Sequence, residues 1–539
     1  MPTPKFTPGA TMIPLSFRSP AFNGLNTELA GNILAPEWAT VLENAVFDES
    51  GRPGARKGWR SITTTPASEV IKRIFEYYKA DGTSTLIFSS DSDIYRDTTT
   101  PTSLKGTLTI TDGNIKLVNF NDKVIAFGIG TAGIPAVRTT GNFADITVNS
   151  GTAPTSGIGT SAFGRLWAVD ADGKTLRYSS LLDETRWATD GSGDGGSIDF
   201  SKVWPSGQDN IVAVEEFGGD LVVFGSNNTV VMTDGAGSSL GIDPTALYVS
   251  DTIPGVGAES QFAIARAAGD LWVLTRFGVV NLQRELVQKS TPFQNASKNI
   301  QSGVTAALDA MTSKDDITMC YSPKHSMVVC MFPDIDIAYT FDTRQPMEDG
   351  AYRATSWNVP LETLAYDRSV ENFRASLTTT VGEVMSYQGY DDDGVAYIFD
   401  YESGWLDLGQ EMNVLLKFVK RFTSFIFVTK NVTVTHKIKY DFSSNTYSVG
   451  VAAIGSPATE YNAYNAVVDG SAQGEYNAYG VPLDSTVVEY GGGVALRTLE
   501  APGQSGGQYI KIGLRLNNNS GSFVLQQINL FAKVGRIAT

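Results

Sequence analysis

The side chains best suited to acid–base chemistry are scarce in this sequence. It has two histidines in 539 residues, His325 and His436. His325 falls in a turn, Ser322-Pro-Lys-His325, and reads as a solvated turn residue. His436 reads as an ordinary alternating position of a strand. A triad, a histidine-rich zinc site and most general-base designs therefore have little to work with. The two cysteines, Cys320 and Cys330, flank the same turn. Counting back from it sets Cys320 opposite about Met327 and Cys330 opposite about Ile317, so the sulfurs are not partners and read as small buried hydrophobes. Asp190-Gly-Ser-Gly-Asp-Gly-Gly-Ser-Ile-Asp199 offers oxygens at alternating positions, as calcium loops do, but its twelfth position is Ser201 and the bidentate Glu is missing. That loop and Asp391-Asp-Asp-Gly394 read as solvated turns. Paired carboxylates of a glycosidase are not excluded among 57 acidic residues. The nearest approach to a sialidase-type turn, Tyr178-Ser-Ser-Leu-Leu-Asp-Glu-Thr-Arg-Trp187, lacks its glycine. No nucleophile elbow, phosphate loop or dinucleotide fingerprint stands between a strand and a helix. The sequence thus names no catalytic, cofactor-binding or metal-binding residue and no cofactor, and the chain reads as a non-enzyme.

Composition and charge narrow the remaining classes. The net charge is −16 and the apolar share 42%, which fits a folded chain without a basic footprint for nucleic acid. No apolar run approaches the ~20 residues that span a bilayer. Met1-Pro-Thr-Pro-Lys-Phe-Thr-Pro lacks the apolar core of a secretory signal and reads as an extended arm. With only two cysteines, disulfides do not hold so long a chain together.

The elements expected to carry these residues are strands. Gly (54), Tyr (21) and Phe (27) are abundant, with Thr, Ser, Val and Asn throughout, the mixture that short strands and tight turns require. A unit of strand, Gly/Asp/Asn turn, strongly apolar strand and third strand recurs from about Ile71 to Tyr390. Its clearest copies are IKLVNFNDKVIAFGIG, IVAVEEFGGDLVVFGSNNTVVMTD and FAIARAAGDLWVLTRFGVVNLQRE. The second strands start at Leu86, Val124, Leu166, Leu221, Leu271, Met327 and Phe373, a spacing typical of propeller blades. Leu221-Val-Val-Phe224 and Leu271-Trp-Val-Leu274 are apolar at every position, as strands buried on both faces are. A run of hairpins in stacked sandwiches would give similar local patterns.

The expected fold is all-β: residues 1–65 an N-terminal arm and docking segment, 66–400 a propeller of about seven irregular blades, and 401–539 a C-terminal antiparallel sandwich. Residues 1–65 hold one short helical candidate, Pro36-Glu-Trp-Ala-Thr-Val-Leu-Glu43. The sandwich strands are read at 405–408, 415–422, 425–428, 432–440, 509–516 and 523–531. A Tyr/Asn-rich insert at 456–485 repeats Glu-Tyr-Asn-Ala-Tyr at 460–464 and 475–479. It reads either as a contact surface or as a variable loop.

Gly24-Leu-Asn-Thr, then Leu34-Ala-Pro-Glu-Trp-Ala-Thr-Val-Leu-Glu-Asn44, then Gly51-Arg-Pro-Gly-Ala-Arg-Lys-Gly58 resembles, in that order, the opening of tail nozzle (tail hub, or phage stabilisation) proteins of short-tailed bacteriophages. Tyr178-Ser-Ser with Arg186-Trp187, and Trp405-Leu-Asp-Leu-Gly409, are similar to the same family. The matches are short and scattered over most of the chain. The resemblance implies a structural virion protein, located in the tail and assembled in the host cytoplasm. It further implies a homo-oligomer, a six-fold ring, docked on the portal and the tail adaptor ring, with tail fibres or spikes nearby. Such a ring retains the packaged genome and later conducts the double-stranded DNA. An acidic conduit would not adsorb a polyanion. The alternatives are another phage tail or capsid β-protein, or a carbohydrate-binding or carbohydrate-active propeller.

Overall fold

The computed structural model describes residues 13–64, 69–96, 101–190, 194–205, 208–234, 242–282, 295–407, 415–428, 432–451, 495–502, 506–518 and 521–537. The Tyr/Asn-rich insert and the Pro-rich residues 1–12 lie outside them. The chain divides into two units. One contains 61–353 and 357–387; the other contains 1–60, 354–356 and 388–539.

The first unit is a propeller: among the described residues it has six small antiparallel sheets and one further run of antiparallel strands, Thr318–Ser322, Met327–Phe332 and Ile337–Asp342, as its seven blades. Each apolar second strand lies between its neighbours in sequence, and all seven starts read from the sequence fall within second strands. These are Ser84–Ser90, Lys123–Ala126, Arg165–Val169, Asp220–Gly225, Asp270–Thr275, Met327–Phe332 and Asn372–Leu377. Every residue of Arg165–Val169 and Met327–Phe332 is buried. Shared cores join successive blades: Ile87 and Ile94 pack with Val124 and Ala126, and Phe120 and Ile125 with Leu166 and Ala168. Val223 packs with Trp167, while Val222 and Phe224 pack with Leu271 and Val273. Val384 of the last blade joins Ile71 and Phe88 of the first, closing the circle.

Closure also joins distant parts of the chain. The last blade orders Leu361–Asp367, Asn372–Leu377 and Glu383–Tyr387, and its fourth strand is Trp59–Thr64, from before the first blade. A blade completed by both ends of the segment cannot open without losing a ladder of backbone hydrogen bonds. One helix, Gln301–Ala310, buries Val304, Ala307 and Leu308 at helical spacing.

The second unit is a two-sheet sandwich. One sheet orders Ala495–Pro502, Leu415–Val428, Phe523–Ile537, Pro53–Ala55 and Ala45–Phe47, with Ile13–Arg18 also paired to Phe523–Ile537. The other contains Trp38–Glu43, Tyr397–Ser403, Ile510–Asn518, Val434–Tyr440 and Tyr447–Val451. The sheets face each other through ring contacts, Phe399 on Phe523 at 5.0 Å and Phe422 on His436 at 4.4 Å.

Three local expectations are corrected. The helical candidate at 36–43 is a strand, Trp38–Glu43. Its pairing with Tyr397–Ser403 shifts register between Ala39 and Val41, so the buried residues are Ala39 and Leu42, three apart. A β-bulge puts residues three apart on one face, which imitates helical spacing. The runs at 415–422 and 425–428 form one strand, and Leu406 makes only an isolated bridge to Ile510. The turn between the cysteine strands is 323–326, closed by Ser322 opposite Met327, with Ser326 at φ +49°. Cys320 therefore faces Val329 and Cys330 faces Met319, a register two residues from the expected one.

Candidate functional site

Segments entering the first strands of successive blades converge on one cavity of about 910 Å³ in the propeller. Lys72, Asp112 to Asn114, Ser156 to Ile158, Ile211, Gln261 and Phe262, and Ser313 to Asp316 belong to these entries or to the strand starts. Five carboxylates (Asp91, Asp112, Glu259, Asp315, Asp316) and two ammonium groups (Lys72, Lys314) line it, and no His or Cys is among the lining residues. Both ammonium groups are engaged: Lys72 Nζ lies 2.6 Å from Glu362 Oε1, and Lys314 pairs with Glu259. Burial pulls the Lys72 pKa down, but the Glu362 hydrogen bond and charge outweigh it and hold the group above its ordinary value. Burial raises the Asp316 carboxyl against the attraction of Lys72 and Arg73, and Asn114 Nδ2 donates to it at 2.8 Å.

Arg73 is sealed beside the cavity. Its guanidinium lies 3.7 Å from the centre of the Phe262 ring, donates to Thr318 Oγ1 at 2.5 Å, and donates to the Asp315 carbonyl. Desolvation pulls its pKa down to about 10. A cavity with this lining offers hydrogen-bond acceptors and negative charge to whatever enters it. The sequence signal for it was the polar segment before each first strand, readable only once blade register is known.

The residues that carry the N-terminal resemblance build a different constellation, inside the sandwich unit. Arg56 is fully buried. It donates to Asn44 Oδ1 at 2.9 Å and, through both terminal nitrogens, to Asp392 Oδ1 and Oδ2 at 2.8 and 2.6 Å. The guanidinium also lies 4.1 Å over the Tyr397 ring, whose hydroxyl donates to the Arg56 carbonyl and accepts from Asn518 Nδ2 at 2.9 Å. A planar fork matched to a carboxylate is what arginine supplies and lysine does not. Two residues on, a Cβ at Gly58 would sit 1.7 Å from the Asp391 carbonyl oxygen. Backbone hydrogen bonds from Gly58 N to Gly389 O and from Trp59 N to Asp391 O, each 3.1 Å, require that approach. Arg56 and Asp392 are 336 residues apart, and nothing in the sequence pairs them.

The other residues singled out by type have structural surroundings. His436 is not a plain alternating position. It is fully buried between the sheets, with Nε2 2.9 Å from Ser424 Oγ, and burial pushes its pKa down to about 4. His325 is half-buried rather than solvated, stacked on Phe373 and edge-on to Tyr387. Asp391 and Asp392 are not solvated turn residues either: Asp391 is 5% exposed, pairs with Arg60 and caps Gly394 N, and Asp392 holds Arg56. The cluster that looked like a turn closes the sandwich because the arginines arrive from the N-terminal segment. In the glycine-rich loop, Asp190 pairs with Arg186 and Asp199 caps Ser201, while 191–193 lie outside the described residues. Among the described residues no group of acidic, His or Cys side chains could hold a metal ion. Both cysteines are free thiols, and burial pushes Cys320 up to about 12 and Cys330 higher still. No helix of the described residues is long and apolar enough to cross a membrane.

No family model and no curated protein sequence matches the chain. Among solved structures it is similar to a catalytically inactive virginiamycin B lyase from Staphylococcus aureus with quinupristin, at 9% identity over 61% of this chain and 98% of that one, TM-score 0.35. It is also similar to the Pan2 WD40 domain of Neurospora crassa, at 8% identity over 63% and 97%, TM-score 0.37. A third is YCF48 from Cyanidioschyzon merolae, at 11% identity over 61% and 98%, TM-score 0.36. These likenesses concern the propeller fold.

Proposed function

We propose that the chain is a non-enzymatic structural protein of a virion, forming the distal tail nozzle ring of a short-tailed bacteriophage. In this reading it docks on the adaptor ring, helps retain the packaged genome and lets DNA pass on ejection. The observation that supports it beyond the resemblance is where the charge sits. Residues 61–387, the propeller with its connecting segments, hold 38 of the 57 acidic and 24 of the 41 basic residues, a net −14 of the −16 total. The remaining 19 acidic and 17 basic residues give −2. A body that must stand beside moving duplex DNA without adsorbing it needs such an excess, because each cation on a wall would bind phosphate and release counterions. The sandwich unit, close to neutral and woven from both ends of the chain, is the part suited to lasting protein contacts.

The test is the mass of the purified full-length protein in solution, alone and mixed with its virion's tail adaptor. A ring near six subunits, alone or formed only on the adaptor, supports the reading. A monomer that ignores the adaptor overturns it, and points to a binding or carbohydrate-active propeller acting through the acid-lined cavity.

A further inference from the structure

The wall of the propeller cavity holds hydrogen-bond acceptors without donors. Two side-chain amides, from the entries to the fifth and second blades, are in this position. Gln261, 9% exposed, donates from Nε2 to the Gly157 carbonyl at 3.0 Å, and both residues line the cavity. That bond fixes which way the amide is turned, because a carbonyl oxygen can only accept. Gln261 Oε1 is therefore buried with no hydrogen-bond partner. Asn114 repeats the arrangement: Nδ2 donates to Asp316 Oδ1 at 2.8 Å, and its own buried Oδ1 has no partner. Leaving a buried carbonyl oxygen without a donor is costly, and the described residues supply none to either amide.

The charge of the wall makes the same demand. Both lining ammonium groups are taken, Lys72 by Glu362 and Lys314 by Glu259. Among the described residues, Asp91, Asp112, Asp315 and Asp316 have no cation at ion-pair distance, and the lining carboxylates exceed the lining ammonium groups by three. The next groups out do not change this. Arg73 offsets Glu362, Lys116 pairs with Glu215 at 3.4 Å, and Asp334 adds a further negative charge beside Asp316. Water would satisfy the two amide oxygens and leave the charge. A chelated metal ion would offset charge, but among the described residues no group of carboxylates is placed to hold one. An alkylammonium group brings both a positive charge and three N–H donors. Ile158, Val212 and Phe262 also line the cavity and offer apolar surface to a methylene chain, and about 910 Å³ is the size of a small-molecule site.

We propose that this cavity binds a linear aliphatic polyamine. Its ammonium groups take the unmatched carboxylates and the two amide oxygens, and its methylene segments lie on the apolar residues. The inference concerns the propeller of a single copy and holds whether or not copies assemble into a ring.

The experiment is calorimetric titration of the full-length protein with putrescine, spermidine and spermine across a salt series. Butanediol, calcium chloride alone and a tetralysine peptide are the comparison probes. Spermidine should bind at one saturable site, more tightly than putrescine and more weakly as salt rises, and should raise the Tm. Asp91→Asn with Asp112→Asn, both exposed positions, should weaken spermidine at least about tenfold, while Glu371→Gln, which removes an exposed carboxylate outside the cavity lining, should leave it unchanged. Gln261→Met keeps the net charge and should still weaken binding at least about fivefold, which adsorption to an acidic surface would not. If Gln261→Met does not fold, the Asp91/Asp112 variant against Glu371→Gln decides. Weak, unsaturable uptake that is equal in the wild type and every variant overturns the inference. So does calcium bound alone at one site that the same variants abolish, which makes this a metal site. Binding of tetralysine or butanediol without binding of spermidine overturns it as well, in favour of a partner's lysine side chains or a neutral ligand.

Discussion

Lowering the pH from 7.5 to 5 should destabilise the sandwich unit through one imidazole. His436 has no solvent contact, its Nδ1 has no hydrogen-bond partner, and the Phe422 ring packs edge-on at 4.4 Å. Burial lowers its pKa from the ordinary 6.5 to about 4. The unfolded chain takes up a proton near 6.5 while the folded chain resists until about 4. Between those values the unfolded state binds more protons, so stability falls as the pH falls. Integrating over the interval gives a loss of about 2 kcal/mol by pH 5 and about 3 kcal/mol by pH 4. Most carboxylates titrate below pH 5, and the chain has only one other histidine, so the range 7.5 to 5 isolates the effect. Urea unfolding followed by hydrogen exchange of the amides in 434–440 and 510–518 reads the sandwich separately from the propeller. His436→Gln keeps a partner for Ser424 but cannot titrate, and should flatten the dependence. Equal slopes in the variant and the wild type, or a wild type whose stability does not change over that range, would refute the reasoning.

Gly58→Ala places a Cβ against the Asp391 carbonyl and should cost at least about 3 kcal/mol, seen as a lower Tm or loss of soluble protein. Arg56→Met strands the Asp392 carboxylate and should cost about 3–5 kcal/mol, part of which Arg56→Met with Asp392→Leu restores in the same denaturation assay. Deleting 59–64 removes the closing strand of the last blade, so amides of 383–387 should lose hydrogen-exchange protection before those of 165–169 do. Cys330, which is buried, should react with a thiol reagent at neutral pH far more slowly in the folded protein than in urea, and the half-buried Cys320 should be slowed less than Cys330.

Much of this molecule was legible in one dimension. The seven second strands could be placed from the recurring strand–turn–strand unit, most sharply where a strand covered on both faces is apolar at every position, as Leu221–Phe224 and Leu271–Leu274 are, while Asn372–Leu377, with Arg374 and Ser376, was legible only through the repeat. The scarcity of histidine and the absence of a basic footprint were equally plain. Tertiary structure decided what depends on distant pairing. Whether 38–43 becomes helix or strand turned on a bulge against 397–403, and short segments take the conformation their neighbours impose. The register of the cysteine hairpin turned on one left-handed residue, Ser326. The role of Arg56 waited on a carboxylate 336 positions away, and that of Trp59–Thr64 on the last blade of the circle. Local sequence fixes which residues seek burial and where chains turn. Only the closed fold sets which of them meet, since contacts between distant segments depend on the whole path of the chain between them.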